Sequence, residues 1–478
     1  MNQQASGAST ERTRVWRGAI VVGVCIVLWL VPPVGPLKPQ AMHLIAVFAA
    51  TILGLILQPL PMGATVIAAI AVTTISGTLP IKEAMAGFSE ALVWLIVCAF
   101  MFSRGFIKTG LGRRIAFLLV RAFGTSTLGL GYALTISDTI IAPATPSNTA
   151  RAGGILFPIV RSLAVSLGSE PGSPRQRVGA FLMFNEFQTT LMTSAIFLTG
   201  TAGNAMVVKL AKDAFKYDIT WMGWLWASLV PGFVALLVVP YVIFLLTKPE
   251  VKRSPDAAAM AIRELQKMGP MAAAEKSMLA VFLLTLSLWA TGQWTGLDAT
   301  AVALAGVAAL LALRVLTWDD VLAERGGWDA LIWFGGFVSL AGGLSSLKII
   351  TYLADVLRGA IGGIHSWVIG FLLVVIAFKY SHYLLSSVTA HALAFFVPMG
   401  LVAVGVGAPL PLVMYCLGFM NCLCCAMTHY STGPSPIYYN AGYSSLGAWW
   451  RHGFIVSVVN LVIWLGVGGV WWKIIGLW

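Results

Sequence analysis

The chain has 478 residues, of which 58% are hydrophobic and only 10% charged, with a net charge of +12. Soluble domains carry about 25% charged residues, so this composition excludes an ordinary soluble fold. The basic residues are scattered over short loops, which argues against a nucleic-acid surface and for an orientation signal in a membrane protein.

Taken in chain order, residues 1–17 read as a cytoplasmic tail. Apolar runs follow near 18–33, 41–57, 62–76, 91–107, 223–247, 277–291, 299–316, 367–378 with its continuation, and 453–471. Each approaches the ~20 residues that a spanning helix needs, so the expected fold is an all-α polytopic membrane protein. The first run ends at Pro32-Pro33 without a small-residue cleavage site and reads as a spanning helix, not a leader. The chain shows no Ser- and Arg-rich transit segment, which favours a bacterial inner membrane over an organellar one.

The polar segment 248–276 divides the chain into a first repeat within 18–247 and a second within 277–478. Leu92-Val93-Trp94 recurs 239 positions on as Leu331-Ile332-Trp333. Ser147-Asn148-Thr149-Ala150-Arg151 recurs 240 positions on as Ser387-Val388-Thr389-Ala390-His391. Thr201, in Thr199-Gly200-Thr201-Ala202-Gly203-Asn204, matches Thr432, in Ser431-Thr432-Gly433-Pro434-Ser435-Pro436. Each paired motif reads as the tip of a re-entrant hairpin, at about 128–167 and about 365–404. Five basic residues (Arg104, Lys108, Arg113, Arg114, Arg121) follow the helix near 91–107, whereas its counterpart is followed by Lys348, Asp355 and Arg358 alone. That asymmetry places the two connectors on opposite sides, so the repeats read as inverted. Lys209, Lys212 and Lys216 fit this topology badly.

Prolines and glycines interrupt corresponding spans: Pro143, Pro146 and Gly153-Gly154 in the first hairpin, Gly200 and Gly203 after it, and Gly433, Pro434 and Pro436 in the second half. Non-helical backbone at membrane depth survives only beside protein or a water-filled cavity, and paired broken spans mark a transport site. Ser147 after Pro146 reads as an N-cap whose neighbouring free amides favour an anion. Arg151 lies four residues on, hence on the same helical face, and its planar fork suits a carboxylate. His391 stands in the same relation to Ser387. A lone Arg can snorkel and a lone His is usually a satisfied core residue; the matched spacing is what favours function.

Other groups are less informative. Cys422, Cys424 and Cys425 lie in an apolar run and read as small packing residues rather than ligands, and His382, His391 and His429 show no familiar metal spacing. Asp138 and Glu186 could relay protons or simply pair with a nearby Arg or Lys. Trp450, Trp471, Trp472 and Trp478 read as interfacial belt residues.

These residues resemble the divalent anion:sodium symporter (DASS) family of di- and tricarboxylate carriers. Ser147-Asn148-Thr149 matches the family's hairpin-tip signature in full, and Thr201 and Thr432 match the Thr of its broken spans. The stretch from Thr428 to Tyr443 is similar to the 2-oxoglutarate/malate translocator branch and to bacterial citrate/succinate-type antiporters. The resemblance implies about eleven spanning helices, two opposed hairpins, a homodimer on a scaffold domain and elevator-type movement. It also implies that Ser147, Asn148, Thr149, Thr201, Ser387, Thr389, Thr432 and Pro434 surround the substrate carboxylates. One departure is Val388, where the symporter pattern has asparagine, which puts the second sodium site in doubt and leaves at most a residual one near Ser147 and Asn148.

The resulting expectation is sodium-independent exchange of C4/C5 dicarboxylates such as malate, succinate or 2-oxoglutarate, with Arg151 and His391 as fixed cations in place of sodium. The alternative is sodium-coupled symport on the same fold. A membrane enzyme built on His382, His391 and His429 is disfavoured, because no large polar catalytic loop accompanies them. No cofactor or resident metal is called for.

Overall fold

In hydrocarbon every backbone amide and carbonyl needs a partner within the chain, and helices provide one segment by segment. The computed structural model describes the backbone of residues 2–352, 356 and 366–478, and their side chains outside 2–12 and 293. Asp355 and Arg358, part of the topology argument above, lie outside the described residues. Among the described residues the elements are helices and turns, with no β-strand. Among the described residues, seven helices are long and apolar enough to cross a bilayer: Pro39–Leu57, Ala91–Thr109, Trp221–Thr247, Ala273–Ala290, Trp367–Leu384, Val388–Gly405 and Leu446–Ile474. Met62–Ile75, Ala299–Ala312 and Leu410–Ala426 are apolar but shorter.

The N-terminal helix runs unbroken from Asn2 to Trp29. The expected tail at 1–17 is thus helical from Asn2, because no proline interrupts the chain before Pro32-Pro33. Trp472 also departs from its expected place at the interface. It is 1% exposed and its indole donates to Ala227 O at 2.8 Å, so it belongs to the core.

The helices sort into two packing groups. Asn2–Trp29, Pro39–Leu57, Met62–Ile75, Ala91–Thr109, Ala273–Ala290, Ala299–Ala312 and Arg325–Ser346 pack mainly on one another. The second group surrounds Gln176–Ile196, whose residues from Val178 to Ile196 are all buried. That helix touches Thr127–Ile141, Phe157–Ser166, Trp221–Thr247 and Leu410–Leu423. It is too polar to register as a span by hydropathy, yet it is the innermost helix of the group. Ala202–Phe215 and Val388–Gly405 form part of the seam between the groups, against Arg325–Ser346 and Pro39–Leu57 respectively.

The segment 248–276 forms a helix, Pro255–Met268, tied down at both ends. Ser254 N donates to Thr125 O at 2.9 Å and Thr127 N to Lys252 O at 3.1 Å, which anchors the linker to the base of the first hairpin. At the other end the Arg114 guanidinium grips Glu275 with bonds of 2.8 and 3.0 Å and Gly269 O at 2.9 Å. Lys209 pairs with Glu90 at 2.8 Å and Asp213 at 3.1 Å, and Lys212 with Asp218 at 3.1 Å, so these two cations of the badly fitting trio are ion-paired.

Removing one partner of a buried ion pair leaves the other uncompensated, at about 3–5 kcal/mol. Arg114→Ala should therefore lower the thermal midpoint of the detergent-purified protein by several degrees, whereas Arg177→Ala, whose Glu250 pair is exposed, should leave it unchanged. Thermal unfolding followed by size-exclusion recovery measures both.

Candidate functional site

Both hairpins follow one plan. Ser126 caps the arm Thr127–Ile141, which Pro143 converts into a 3₁₀ turn at Ala142–Ala144. The second arm, Trp367–Ser381, gives way to a 3₁₀ turn at His382–Leu384. Arm starts (127 and 367) and ends (141 and 381) are both 240 residues apart. After the second tip Ser387 accepts from Ala390 N at 3.3 Å and begins the α-helix Val388–Gly405.

The first tip differs from expectation. Ser147 does accept from Ala150 N at 3.1 Å, but Thr149–Leu156 is a π-helix and not α-helical. Pro158 has no N–H to offer Gly154 O, so the ordinary i→i−4 ladder cannot close there and the turns widen. Ser147 and Arg151 nevertheless remain one turn apart, since Arg151 N donates to Ser147 O at 2.9 Å, and the turns widen only beyond that bond.

The tips and the broken spans converge. Ala202 N donates to Pro146 O at 2.9 Å and Thr199 Oγ1 to Pro143 O at 2.6 Å, joining the first tip to its own half's break. Asn148 Nδ2 donates to Thr432 Oγ1 at 3.0 Å, joining the same tip to the other half's break. Gly433 lies so close that a methyl group on it would fall on Thr149 Oγ1. Val388 meets the helix start at Gly203, where an added Cβ would be 2.9 Å from Val388 Cγ1. Ser147, Ser387 and Thr389 are half-buried and Thr149 is exposed, whereas Asn148, Thr201, Thr432 and Pro434 are buried. The structure thus gathers Ser147, Asn148, Thr149, Thr201, Thr432 and Pro434, and brings the second tip to the same helix start through Val388.

Arg151 does not face this cleft. It is 0% exposed, and its Nε donates to Asp138 Oδ1 at 2.8 Å. Nη1 donates to Thr145 O at 2.8 Å and Gly200 O at 2.9 Å. Nη2 reaches Thr190 O and Oγ1, Thr193 Oγ1 and Ser194 Oγ at 2.9–3.2 Å. Every N–H is committed, so Arg151 locks the tip to the broken span and has no donor left for a ligand. The sequence could not show this, because the polar face of Gln176–Ile196 that receives it is known only after folding. His391 is likewise turned inward, with Nε2 2.9 Å from Phe378 O and 3.0 Å from Ser381 Oγ, and Nδ1 3.0 Å from Asn421 Oδ1. Of the two acids, Asp138 pairs with Arg151 and also accepts from Thr193, while both Glu186 oxygens lack a partner among the described residues.

Sequence reasoning missed Lys379. It is 1% exposed at the end of the second arm, and its Nζ donates to Leu423 O at 2.9 Å. A lysine within the apolar run Val374–Tyr380 was the available signal. A cavity of about 610 Å³ opens beside Leu198 of the first break, lined among others by Glu90, Lys209, Lys212, Trp221 and Trp289.

Comparison with known proteins places this arrangement. The profile described as "Sodium:sulfate symporter transmembrane region" matches residues 12–478. YflS of Bacillus subtilis (strain 168) is 47% identical over 96% of both chains. Dicarboxylate transporter 1, chloroplastic, of Arabidopsis thaliana is 42% identical over 97% of this chain and 85% of its own length. Inner membrane protein YbhI of Escherichia coli (strain K12) is 35% identical over 98% and 99%. The solved structure of the Alcanivorax borkumensis YdaH transporter covers 98% of both chains with a TM-score of 0.52 at 14% identity, a likeness of fold alone.

The contact of Gly433 with Thr149 leaves no room for a side chain. Gly433→Ala should slow substrate uptake by about 100-fold, the usual effect of a displacement near 1 Å in a site, while Gly447→Ala, which meets open space, should be neutral. Uptake into proteoliposomes at matched protein content measures both.

Proposed function

The chain belongs to the sodium:sulfate symporter transmembrane family, a family of membrane transporters rather than enzymes, and from that premise we propose that it exchanges C4/C5 dicarboxylates without sodium. The dicarboxylate part of the reading rests on the chloroplast relatives and on the anion-friendly tips. Ser147, Asn148, Thr149, Thr201, Ser387, Thr389, Thr432 and Pro434 are the proposed substrate contacts. Their amides and hydroxyls lie at helix starts, where partial positive charge accumulates.

The observation that carries sodium independence is the pair of buried cations. In broken-helix carriers, carbonyls at half-helix ends coordinate the coupling ion. Here Arg151 donates to Gly200 O in the first broken span, and Lys379 donates to Leu423 O at the end of the helix that leads into the second. Val388, packed on Gly203, supplies no oxygen ligand. Lys379 therefore takes the part that sequence reasoning assigned to His391, and Arg151 acts as a positioning residue.

Obligatory exchange follows from charge. Asp138 matches Arg151, but no carboxylate among the described residues pairs with Lys379. A carrier moving Lys379 without a bound anion carries an unmatched charge, which is costly at membrane depth. The two packing groups supply a scaffold and a moving body for elevator transport, and inverted repeats, a homodimer and an inner-membrane setting complete the proposal. A residual sodium site at Ser147 and Asn148 would instead support symport.

Proteoliposomes separate the readings. Labelled malate should enter only vesicles preloaded with dicarboxylate, equally in sodium and potassium buffers; uptake into empty vesicles driven by a sodium gradient would overturn the proposal. Lys379→Met should raise efflux without counter-substrate relative to exchange by at least about tenfold, equivalent to ~1.4 kcal/mol. An unchanged ratio would remove Lys379 from the mechanism.

A further inference from the structure

The second hairpin gathers a set of side chains that transport does not use. His382 sits in the 3₁₀ turn of the tip, His391 in the first turn after it, and Cys424 and Cys425 in the 3₁₀ turn Cys424–Ala426 that ends Leu410–Leu423. All four are buried. One ligand atom from each of His382, His391 and Cys424 lies within 4.8 Å of the others. Cys424 Sγ is 3.9 Å from His391 Nδ1 and 3.9 Å from Cys425 Sγ, and Cys425 Sγ is 3.2 Å from His382 Nε2. Ligands of a tetrahedral zinc ion, with bonds of about 2.0–2.3 Å, stand about 3.3–3.8 Å apart. The observed separations bracket those values, with Cys425 just outside the group in which His382, His391 and Cys424 lie mutually within 4.8 Å.

We propose that His382, His391 and Cys424, joined by Cys425 after a small shift of its side chain, form a structural site for a soft divalent cation of the zinc class. Two histidines and two cysteines are a complete tetrahedral set, which leaves no open position for catalysis and suits a structural role. The surroundings agree. His391 Nε2 lies 2.9 Å from Phe378 O, so an N–H there fixes the ring, and Nδ1, 3.0 Å from Asn421 Oδ1, exchanges that contact for the metal. His382 Nε2 lies 2.9 Å from Ser431 O, which holds its proton there and leaves the buried, unpartnered Nδ1 to bind. Binding forms two metal–sulfur and two metal–nitrogen bonds and releases the two thiol protons to solvent.

The site joins the second tip to the break that follows it. Arg151 makes that connection in the first half, from its tip to Gly200 O. The second half has valine, leucine and phenylalanine near the matching positions (Val388, Leu385, Phe378), and its tip is held by fewer bonds, from His382 Nε2 to Ser431 O at 2.9 Å and His391 Nδ1 to Asn421 Oδ1 at 3.0 Å. A metal would strengthen that tie. With two thiolates it is neutral overall, so Lys379 remains unmatched and the exchange proposal does not depend on it.

The test uses the full chain purified in detergent. Zinc content by mass spectrometry should be about one ion per chain. After chelator treatment, titrated cobalt(II) should give near-ultraviolet thiolate-to-cobalt absorption that saturates at the same ratio. Cys424→Ser should abolish that band, His382→Gln should weaken cobalt affinity by at least about tenfold, and Cys98→Ser, remote from the cluster, should change neither. Zinc at background together with no cobalt–thiolate band from monodisperse protein would overturn the proposal. So would a band that survives the Cys424→Ser/Cys425→Ser double substitution. Since none of these readouts is transport, failure here is distinguishable from failure of the exchange reading.

Discussion

Everything at the centre of this protein depends on one buried guanidinium. Arg151 sits at membrane depth with no solvent contact, and such a charge is tolerated only when its donors are all satisfied. The requirement accounts for features that otherwise look unrelated. Asp138 is on the incoming arm to neutralise it, and Thr190, Thr193 and Ser194 make one face of Gln176–Ile196 polar in order to receive it. Thr145 and Gly200 expose carbonyls because Pro143 and the broken span have removed them from helix ladders.

The consequence is a rigid platform. Once the first tip is tied to Gly200, its neighbours Ser147, Asn148 and Thr149 are held against Thr432 and Gly433 of the other half. Arg151 turns inward one helical turn after Ser147, while Ser147 stays half-buried and Thr149 exposed. Polar positions at helix starts thus stay available to an anion, while the formal charge is kept away from direct contact. An anion held by amides and hydroxyls can be released as readily as bound, whereas a bidentate arginine contact would hold it more strongly.

The two halves solve the same problem with different chemistry. Their arms match residue for residue in length, yet the first half places an Asp–Arg pair where the second has Phe378 and His391. Lys379 and the His–Cys cluster stand in for the polar network there. Duplicated architecture therefore does not impose duplicated electrostatics.

Composition, apolar runs and paired motifs determined by themselves that this is a helical membrane protein, where its helices break, and which polar residues flank the breaks. These properties are local: hydropathy, proline and glycine act on their own neighbourhood, and the 240-residue offset is visible as plain text. Tertiary structure alone decided the direction of each side chain. Arg151 and His391 looked like ligand contacts because spacing records which turn a residue is on, not which helix it meets. The face of Gln176–Ile196 that receives Arg151 is distant in sequence, so the spacing within the tip does not report it. Lys379 and the Cys–His cluster acquired meaning for the same reason: their partners lie 33 to 44 residues away in the chain. What a buried polar group does depends on whom it meets, and only the folded chain supplies that partner.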